Sequence, residues 1–396
     1  MIQISPETQL FIREHSSDDV RALALQAKKY PDINMPTAIT QIAGRQVAAE
    51  KIPSWREIEE IWYPKHLSLE QCSSEITARY KARLFQGDSL IDLTGGFGID
   101  CSFLATGFKT ATYVERQEEL CEIAAHNFPI LNLNHINVRN EDGVAYLQSM
   151  SPVDCIFLDP ARRNEHGGKT VAISDCEPNV AELEDLLLNK ANRVMIKLSP
   201  MLDLSLALKE LKHTQEVHIL SVNNECKELL ILLGQTSPAE IAIHCVNLFT
   251  KGTQEEQHFV FTREQEQRSQ CTYTDSLGDY LYEPNTSLLK AGAFRSIAAA
   301  YPVRKLHPNS HLYTSDSFIE NFPGRIFRIV NQCSFNKKEV KENLADLKKA
   351  NVTVRNFPAT VAELRKRLHL TEGGDTYLFA STLNNGQKVI IRCEKV

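Results

Sequence analysis

The stretch Leu90-Ile91-Asp92-Leu93-Thr94-Gly95-Gly96-Phe97-Gly98-Ile99-Asp100 decides the fold of this chain of 396 residues. An apolar run with the pattern of a strand ends there in a glycine-rich corner, and a helix-like segment follows. Because glycine has no Cβ, the backbone N–H groups of such a corner can approach a ligand closely. The following helix directs its N-terminal N–H groups to the same place. The stretch therefore predicts the first strand–helix turn of a nucleotide-binding α/β domain.

Strands alternate with helices around this corner, which predicts a mainly parallel, Rossmann-like sheet. The last two predicted strands of that sheet are joined by only Asn223 to Lys227, a connection that predicts an antiparallel hairpin at the sheet edge. We expect an α/β fold with small C-terminal α+β domains. The predicted regions are a helical N-terminal region (1–85), the ligand-binding α/β domain (86–235), a small α+β domain (236–330) and a final βαβ-like domain (331–396).

The composition, 42% hydrophobic and 24% charged, is ordinary for a soluble globular protein. No window approaches the ~20 apolar residues that span a membrane, and Met1 to Pro6 lacks the pattern of a signal peptide. The ten cysteines are scattered, without a CxxC pair or a neighbouring histidine cluster. We therefore expect reduced thiols, no metal site and no membrane partner in a cytoplasmic protein. The oligomeric state does not follow from the sequence.

Four acidic residues each follow an apolar, strand-like run; they are Asp92, Glu115, Asp142 and Asp159. One such residue alone is typical of a cap or turn. Four in succession indicate a ligand site at the carboxyl edge of a parallel sheet. Glu115 can accept hydrogen bonds from both hydroxyls of a ribose, and Asp142 can accept one from the exocyclic amine of adenine.

The sequence of the glycine corner limits which class of ligand can bind there. A nicotinamide site requires GxGxxG to hold a pyrophosphate, and the position that would complete this pattern lies in Ile99-Asp100-Cys101. No GKS or GKT follows, which excludes a P-loop. S-adenosylmethionine has no phosphate, and its ammonium needs a carboxylate, for which Asp92 and Asp100 are candidates directly or through water. The sequence therefore favours S-adenosylmethionine as the cofactor.

These residues resemble the motifs of class I S-adenosylmethionine-dependent methyltransferases. The matching positions are Asp92–Gly98 (motif I), Glu115 (motif II), Asp142 (motif III) and Asp159–Arg162 (motif IV). The corner with Val114-Glu115-Arg116 is similar to that of the 16S ribosomal RNA guanine-N2 methyltransferases. More closely, about residues 65 to 396 resemble the bacterial methyltransferases with a THUMP-like C-terminal domain. This resemblance rests on Leu69–Glu75, Asp92–Asp100, Asp159–Arg163, Lys197–Pro200, Glu225–Glu228, Tyr282–Pro284 and Arg355–Pro358.

The resemblance implies a THUMP-like domain at 331–396 and, since THUMP domains in other enzymes bind tRNA, an RNA substrate. Together with the reasoning above it gives the predicted cofactor-binding residues: Gln71, Ser73, Asp92, Thr94, Gly95, Gly96, Gly98, Asp100, Glu115, Arg116, Asp142, Gly143 and Asp159. Gln71 and Ser73 belong to a polar stretch that we interpret as a lid over the cofactor. A polar helix N-terminus is the alternative interpretation.

Motif IV suggests the catalytic residues Asp159, Pro160 and Arg162. In amino-methylating relatives the motif reads Asp-Pro-Pro-Tyr or Asn-Pro-Pro-Tyr, so Ala161-Arg162 argues against simple adenine-N6 chemistry. Arg162 can stack on a base, grip a phosphate or form an ion pair. Uracil-5 methyltransferases can also carry Asp-Pro-Ala-Arg, but they need a nucleophilic cysteine where this chain has Lys197-Leu198-Ser199-Pro200.

The predicted substrate-binding residues are Arg163, Lys197, Lys366 and Arg367. Lys197 faces either the acceptor pocket or solvent. The polar loop Arg163–Lys169, with His166 as a candidate general base, could close over the substrate.

The net charge of −6 excludes a molecule that is basic throughout, but the C-terminal segment is locally basic. Its basic residues are Lys337, Lys338, Lys341, Lys348, Lys349, Arg355, Arg365, Lys366 and Arg367. They indicate either a phosphate-binding patch or a solvated helix face. The leading hypothesis is an S-adenosylmethionine-dependent methyltransferase of structured RNA, tRNA or rRNA, at an exocyclic base nitrogen. A methyltransferase of protein or small molecules and a non-catalytic RNA-binding protein are the alternatives.

Overall fold

The computed structural model of the chain describes residues 4–162, 172–236 and 238–396. It divides into two compact units. Unit 1 comprises Met1–Gln215 and Leu229–Pro238, and unit 2 comprises Glu216–Glu228 and Ala239–Val396.

The α-helices of the described residues are α1 (Pro6–Glu14), α2 (Val20–Leu25), α3 (Met35–Lys51), α4 (Pro53–Arg56), α5 (His66–Gln71), α6 (Glu75–Leu84), α7 (Ile99–Leu104), α8 (Glu118–Ile130), α9 (Gly143–Ser149), α10 (Val180–Lys190), α11 (Leu204–Glu210), α12 (Arg263–Arg268), α13 (Thr286–Ala291), α14 (Ser296–Ala300), α15 (Lys337–Leu344) and α16 (Val361–Leu368). Short 3-10 helices occur at Ala27–Lys29, Ala105–Gly107 and Ile173–Asp175.

The strands are β1 (Gly87–Asp92), β2 (Phe108–Glu115), β3 (Ile136–Asn140), β4 (Val153–Leu158), β5 (Ala161–Arg162), β6 (Cys176–Glu177), β7 (Ala191–Leu198), β8 (Thr214–Val222), β9 (Glu225–Gly234), β10 (Ala242–Leu248), β11 (Glu256–Phe261), β12 (Tyr280–Pro284), β13 (Arg304–Lys305), β14 (Tyr313–Ser315), β15 (Gly324–Ser334), β16 (Asn351–Val354), β17 (Thr376–Thr382) and β18 (Lys388–Lys395).

Unit 1 begins with the predicted helical region, α1 to α6. Asp19 caps α2, because its carboxylate accepts from the backbone N–H groups of Arg21 at 2.8 Å and Ala22 at 2.9 Å. The first three helices share a buried apolar core that includes Phe11, Leu23, Met35, Ala38 and Ile42. These three helices therefore pack on one another.

The sheet of unit 1 has the strand order β9-β7-β4-β1-β2-β3. All its pairs are parallel except β7 with β9, which is antiparallel. The second halves of β4 and β7 are mostly apolar and buried, as expected for a parallel sheet covered on both faces. The predicted fold class, a Rossmann-like sheet with a helical N-terminal region and small C-terminal α+β domains, is confirmed.

The predicted hairpin between β8 and β9 is a two-residue turn. Asn223 and Asn224 have φ values of 50° and 67°, the left-handed conformation that a tight hairpin turn requires. The hairpin does not end the sheet, however. In unit 2, β10 pairs with β8 in parallel over Ala242–Leu248, and β11 pairs with β10 in the antiparallel sense. The partner of β8 comes from beyond the hairpin, so the local pattern could not reveal it.

The second sheet of unit 2 has the order β13-β14-β12-β15-β18-β17-β16. A tight turn at residues 384–386 joins the antiparallel strands β17 and β18, with Gly386 at φ 86°. In the same unit, α13 and α14 are separate helices. Gly292, at φ 78°, terminates α13 because helices commonly end on a left-handed glycine.

Within the described parts of the chain, every helix is too short or too polar to cross a membrane.

Glu283 anchors two arginines within unit 2. Its side chain is 3% exposed, and it accepts from Arg325 Nε at 2.9 Å and from Arg355 Nη2 at 3.2 Å. A buried carboxylate with two cationic donors is stabilising only as a set, because removing the negative charge leaves both guanidinium groups without their counterion.

We expect Glu283→Gln to lower the free energy of unfolding by about 2 kcal/mol, because the amide accepts fewer charged hydrogen bonds and directs N–H groups at the arginines. Glu394→Gln is the matched control, since Glu394 pairs with Arg328 on an exposed surface. Its effect should stay below about 0.5 kcal/mol. Urea unfolding followed by circular dichroism measures both, and equal effects would contradict the assignment.

Candidate active site

The glycine corner after β1 is shaped by Tyr113 of β2. A Cβ on Gly95 would lie 2.2 Å from the Tyr113 ring, so no larger residue fits there. The Tyr113 hydroxyl donates to the Gly96 carbonyl oxygen at 2.5 Å. Gly96 has φ 54°, and a Cβ there would meet nothing closer than 3.8 Å. The corner is therefore packed on the Gly95 side and open on the Gly96 side.

The four acidic residues lie at one edge of the sheet, because β4, β1, β2 and β3 are neighbours and each carboxylate follows its strand. Backbone contacts tie three of them to the corner. The Thr94 N–H donates to Asp92 at 3.0 Å, the Gly96 N–H donates to Glu115 at 2.9 Å, and the Asp159 N–H donates to Thr94 Oγ1 at 2.6 Å. The structure thus brings Asp92, Glu115 and Asp159 together around residues 94–98.

Glu115 is held by the corner itself. Its Oε2 accepts from the Gly96 N–H at 2.9 Å, and its Oε1 accepts from the Gln117 N–H at 2.8 Å. Each carboxylate oxygen has a second lone pair, so the side chain can still accept from ligand hydroxyls. The neighbouring Arg116 forms an ion pair with Glu177 at 3.5 Å.

Asp92 has one satisfied and one unsatisfied oxygen. Oδ1 accepts from the Thr94 N–H at 3.0 Å, whereas Oδ2 is buried without a hydrogen-bond partner among the described residues. Burial raises the pKa of Asp92 to about 8, outweighing the stabilising Thr94 hydrogen bond. An unpaired buried carboxyl oxygen is unfavourable in the free protein, so Asp92 is suited to accept a cationic ligand group.

Five buried or partly buried side chains form a charged cluster beside the corner. Lys197 Nζ lies 2.6 Å from Asp159 Oδ2, 3.2 Å from Asp100 Oδ2 and 3.0 Å from Ser73 Oγ. Lys81 Nζ lies 2.9 Å from both Asp100 Oδ1 and Ser73 Oγ. Ser73 in turn donates to Asp100 Oδ2 at 2.7 Å. We call these residues, Ser73, Lys81, Asp100, Asp159 and Lys197, the charged cluster.

The charged cluster balances two ammonium groups against two carboxylates. Burial alone would raise the pKa of Asp100, but Lys197 and Lys81 outweigh burial and hold that pKa well below its ordinary value. Lys197 is 7% exposed. Of its two predicted orientations, the one toward solvent is therefore wrong. Lys81 is wholly buried and was missed by the sequence analysis.

The other predicted cofactor residues have local structural contacts. Gln71 is exposed at the end of α5. Asp142 caps α9, and its Oδ1 accepts from two backbone N–H groups of that helix at 3.0 Å each. A Cβ on Gly143 would lie 2.2 Å from the Leu93 carbonyl oxygen, so the start of α9 packs directly on the end of β1.

The predicted acceptor side is described only in part. Pro160 is buried directly after Asp159, and the backbone of Arg162 lies in β5. The Arg162 side chain, together with Arg163 and the loop that contains His166, lies outside the described residues. Lys366 and Arg367 are exposed on α16 of unit 2, so they belong to a different unit from the charged cluster.

Comparison with known proteins gives the family. Residues 324–395 match the family described as THUMP domain-like, and residues 280–323 match a ferredoxin-like domain family. The crystal structure of a candidate methyltransferase from Porphyromonas gingivalis W83 is similar over 100% of both chains, with 34% sequence identity and a TM-score of 0.87.

The chain belongs to the class I methyltransferase family with a C-terminal THUMP-like domain. This confirms the family predicted from the sequence. Two further structures resemble this THUMP-like methyltransferase over 40% of its length. They are an rRNA methylase from Streptococcus thermophilus (14% identity, 94% of that chain, TM-score 0.31) and a candidate methyltransferase from Streptococcus mutans in complex with SAH (16% identity, 96% of that chain, TM-score 0.30). No curated protein matches the sequence.

Asp92 should make the free energy of unfolding fall as pH rises, which is the opposite of the usual effect of a carboxyl group. Its pKa is about 8 in the folded protein and near 4 in the unfolded chain, so the folded state binds the extra proton between these values. Its contribution to stability is therefore present at low pH and is lost as pH rises from about 4 to about 8. Relative to Asp92→Asn, the wild-type free energy of unfolding should fall by at least about 1 kcal/mol between pH 5 and pH 8.

Asp154→Asn is the control for this measurement. Asp154 lies on β4, the strand next to β1, and hydrogen bonds from the backbone of Ser89 and Asp88 lower its pKa. Its stabilising effect is lost only as pH falls below about 4, so its offset from wild type should stay constant across the same window. A constant offset for Asp92→Asn as well would contradict a protonated Asp92.

Proposed function

We propose that this protein is an S-adenosylmethionine-dependent methyltransferase that modifies structured RNA, tRNA or rRNA, at an exocyclic base nitrogen. The observation that carries the proposal is the position of Asp159. This residue adjoins the open glycine corner, its N–H is bound by Thr94, and its carboxylate is held by Lys197. An acidic residue so placed can orient an acceptor amine against a ligand bound at the corner.

The residues of the corner fit the cofactor. The partnerless Oδ2 of Asp92 suits the ammonium of the methionine end, and the remaining lone pairs of Glu115 suit the ribose hydroxyls. Asp142 has a second carboxylate oxygen, besides the one that caps α9, for the adenine amine. The open face at Gly96 leaves space for close approach of a ligand to the backbone. When bound, the cofactor supplies a methyl group that its sulfonium has already activated.

The chain then has to align the acceptor and receive a proton. The bound cofactor would supply the methyl group to the acceptor nitrogen, and the proton that this nitrogen then gives up would pass to the Asp159 carboxylate. Lys197 holds Asp159 Oδ2 at 2.6 Å, which leaves Oδ1 of Asp159 to accept the amine N–H. We therefore assign Lys197 as a positioning residue and Asp159 as the group that contacts the acceptor.

Exposed basic residues of unit 2 support RNA as the substrate. Arg355 is paired with Glu283 and Arg365 with Glu372, so these two do not contribute free positive charge. Among the basic residues predicted to form a patch in the C-terminal segment, the exposed ones are Lys337, Lys338, Lys341, Lys348, Lys349, Lys366 and Arg367. All lie within the matched THUMP-like residues 324–395. Arg367 lies 4.1 Å from the ring of Phe335, which brings the end of α16 close to the start of α15 and gathers lysines of both helices.

Transfer of a labelled methyl group tests the activity. The purified protein is incubated with tritiated S-adenosylmethionine and an extract of a strain that lacks it, and RNA and protein fractions are counted. We expect label in RNA, and mass spectrometry of the nucleosides then identifies the modified atom. Label in protein alone would show that the substrate is a protein and not RNA. The absence of both cofactor binding and label would refute the proposed enzymatic activity.

Asp159→Ala should reduce the transfer rate by at least about 100-fold while cofactor binding, measured by calorimetry, remains. Lys197 keeps Asp100 and Ser73 as partners in this variant, so the charged cluster is not dismantled. Asp154→Asn, on the opposite end of β4, serves as the control and should leave the rate unchanged. Unchanged turnover in Asp159→Ala would overturn the assignment of Asp159.

Substitution of Lys366 and Arg367 by alanine should weaken RNA binding and its dependence on salt. Loss of two phosphate contacts should lower the slope of log affinity against log salt concentration by about 1.5. Lys28→Ala with Lys29→Ala removes the same charge from the exposed surface of unit 1 and is the control. Filter binding to bulk tRNA over a range of salt concentrations measures both slopes. Equal slopes for both double variants would contradict phosphate contact at α16.

A further inference from the structure

Three histidines and a glutamate lie close together on strands β8, β10 and β11. We propose that Glu216, His218 and His244 bind one divalent transition-metal ion, for which zinc is the best match. The ion would join β8 to β10 within the unit. The proposal does not depend on the proposed methyl transfer, because none of these residues belongs to the charged cluster or the glycine corner.

The strand register places the ligands together. His218 of β8 and His244 of β10 are direct partners in the parallel pair, and their rings stack with centroids 4.3 Å apart. Glu216 lies two residues before His218, on the same face of the strand, and its Oε2 is 3.2 Å from His218 Nε2. One ligand atom from each of Glu216, His218 and His244 lies within 4.8 Å of the others.

The donor set matches zinc. Two imidazole nitrogens and a carboxylate oxygen are ligands that zinc uses at bond lengths of about 2.0 to 2.2 Å. Ligand atoms of a tetrahedral site with such bonds lie about 3.3 Å apart. The contact between Glu216 and His218 already has that separation, and rotation of side chains would close the longer one. Magnesium, by contrast, prefers sites made only of oxygen ligands.

His258 of β11 supplies an outer contact. Its Nε2 lies 3.1 Å from His244 Nδ1, so one of these two rings donates to the other. Metal-binding histidines usually have such a second partner, which fixes the ring orientation.

Exposure sets the kind of site. His218 is buried, whereas the Glu216 side chain is 43% exposed and His258 is exposed. An ion held by three protein ligands on this face is therefore reachable from solvent, and water can complete its coordination. Because the ligands come from neighbouring strands, a bound ion should also stabilise this part of the sheet.

Metal titration of the full-length protein tests the proposal. The chain is freed of metal with a chelator, and zinc sulfate is added in a competition assay with a chromophoric chelator. Cobalt chloride in a parallel titration reports coordination geometry through its visible absorption. We expect one bound ion per chain, a cobalt spectrum of four-coordinate type, and a higher thermal unfolding temperature with zinc than without.

The variants locate the ion. His244→Ala and Glu216→Gln should each reduce zinc affinity more than 10-fold, and His258→Ala should reduce it by about 10- to 100-fold, as expected for an outer partner. His126→Ala is the control, because His126 stacks on Trp62 in unit 1. Circular dichroism checks folding. If His244→Ala does not fold, the exposed and isosteric Glu216→Gln variant decides.

Two outcomes would overturn the proposal. One is the absence of zinc and cobalt binding by the wild-type chain. The other is binding with equal affinity in wild type and in folded Glu216→Gln, which would place the ion elsewhere. Methyl-transfer activity has no part in these readouts, so they stand or fall separately from the proposed function.

Discussion

Two buried ammonium groups hold the acidic side of the site together. Asp100 and Asp159 would repel each other if they shared a water-poor region without counterions. Lys197 contacts both carboxylates, and Lys81 of α6 contacts Asp100 as well. Removing Lys81 or Asp100 would leave a buried charge without its partner, which typically costs about 3 to 5 kcal/mol. The shape of the site and the stability of unit 1 therefore rest on the same contacts.

The surroundings of the site give different roles to carboxylates that look alike in the sequence. Asp100 is fully neutralised and acts as a structural centre. Asp92 lies close by but has an unpaired oxygen, and its pKa is raised to about 8. Glu115 is held by two backbone N–H groups at the corner. Environment rather than residue type gives each carboxylate its charge state, as is usual where several acids share a site.

Much of the fold could be predicted because its signals are local. The apolar strand before Gly95, the alternation of strands and helices, and the hairpin at Asn384–Gly386 all follow from short-range patterns. The position of β10 beside β8 could not, since pairing between distant strands leaves no local mark. Lys81 is another case, because a lysine on an amphipathic helix normally faces solvent and only the tertiary packing buries it. The histidines at 218, 244 and 258 are likewise too far apart in the chain to form a recognisable spacing.

The basic side chains of unit 2 suggest what kind of contact it makes. Arg355 and Arg365 are engaged with carboxylates, and most of the exposed cations are lysines. Lysine acts as a flexible point charge, whereas the planar guanidinium of arginine recognises paired acceptors on a base or phosphate. Such a lysine-rich surface suits positioning on a phosphate backbone more than reading of sequence. Selection among nucleotides would then rest with the contacts made near Asp159.

The contact between Gly95 and Tyr113 constrains how this family can change over time. A side chain at position 95 would occupy the space of the tyrosine ring, and the hydroxyl of that ring also fixes the Gly96 carbonyl. A single substitution at either position would cause a clash or remove a hydrogen bond. We expect homologous chains to keep both residues or to exchange both together, so that these two positions evolve as one unit although 18 positions separate them in the sequence.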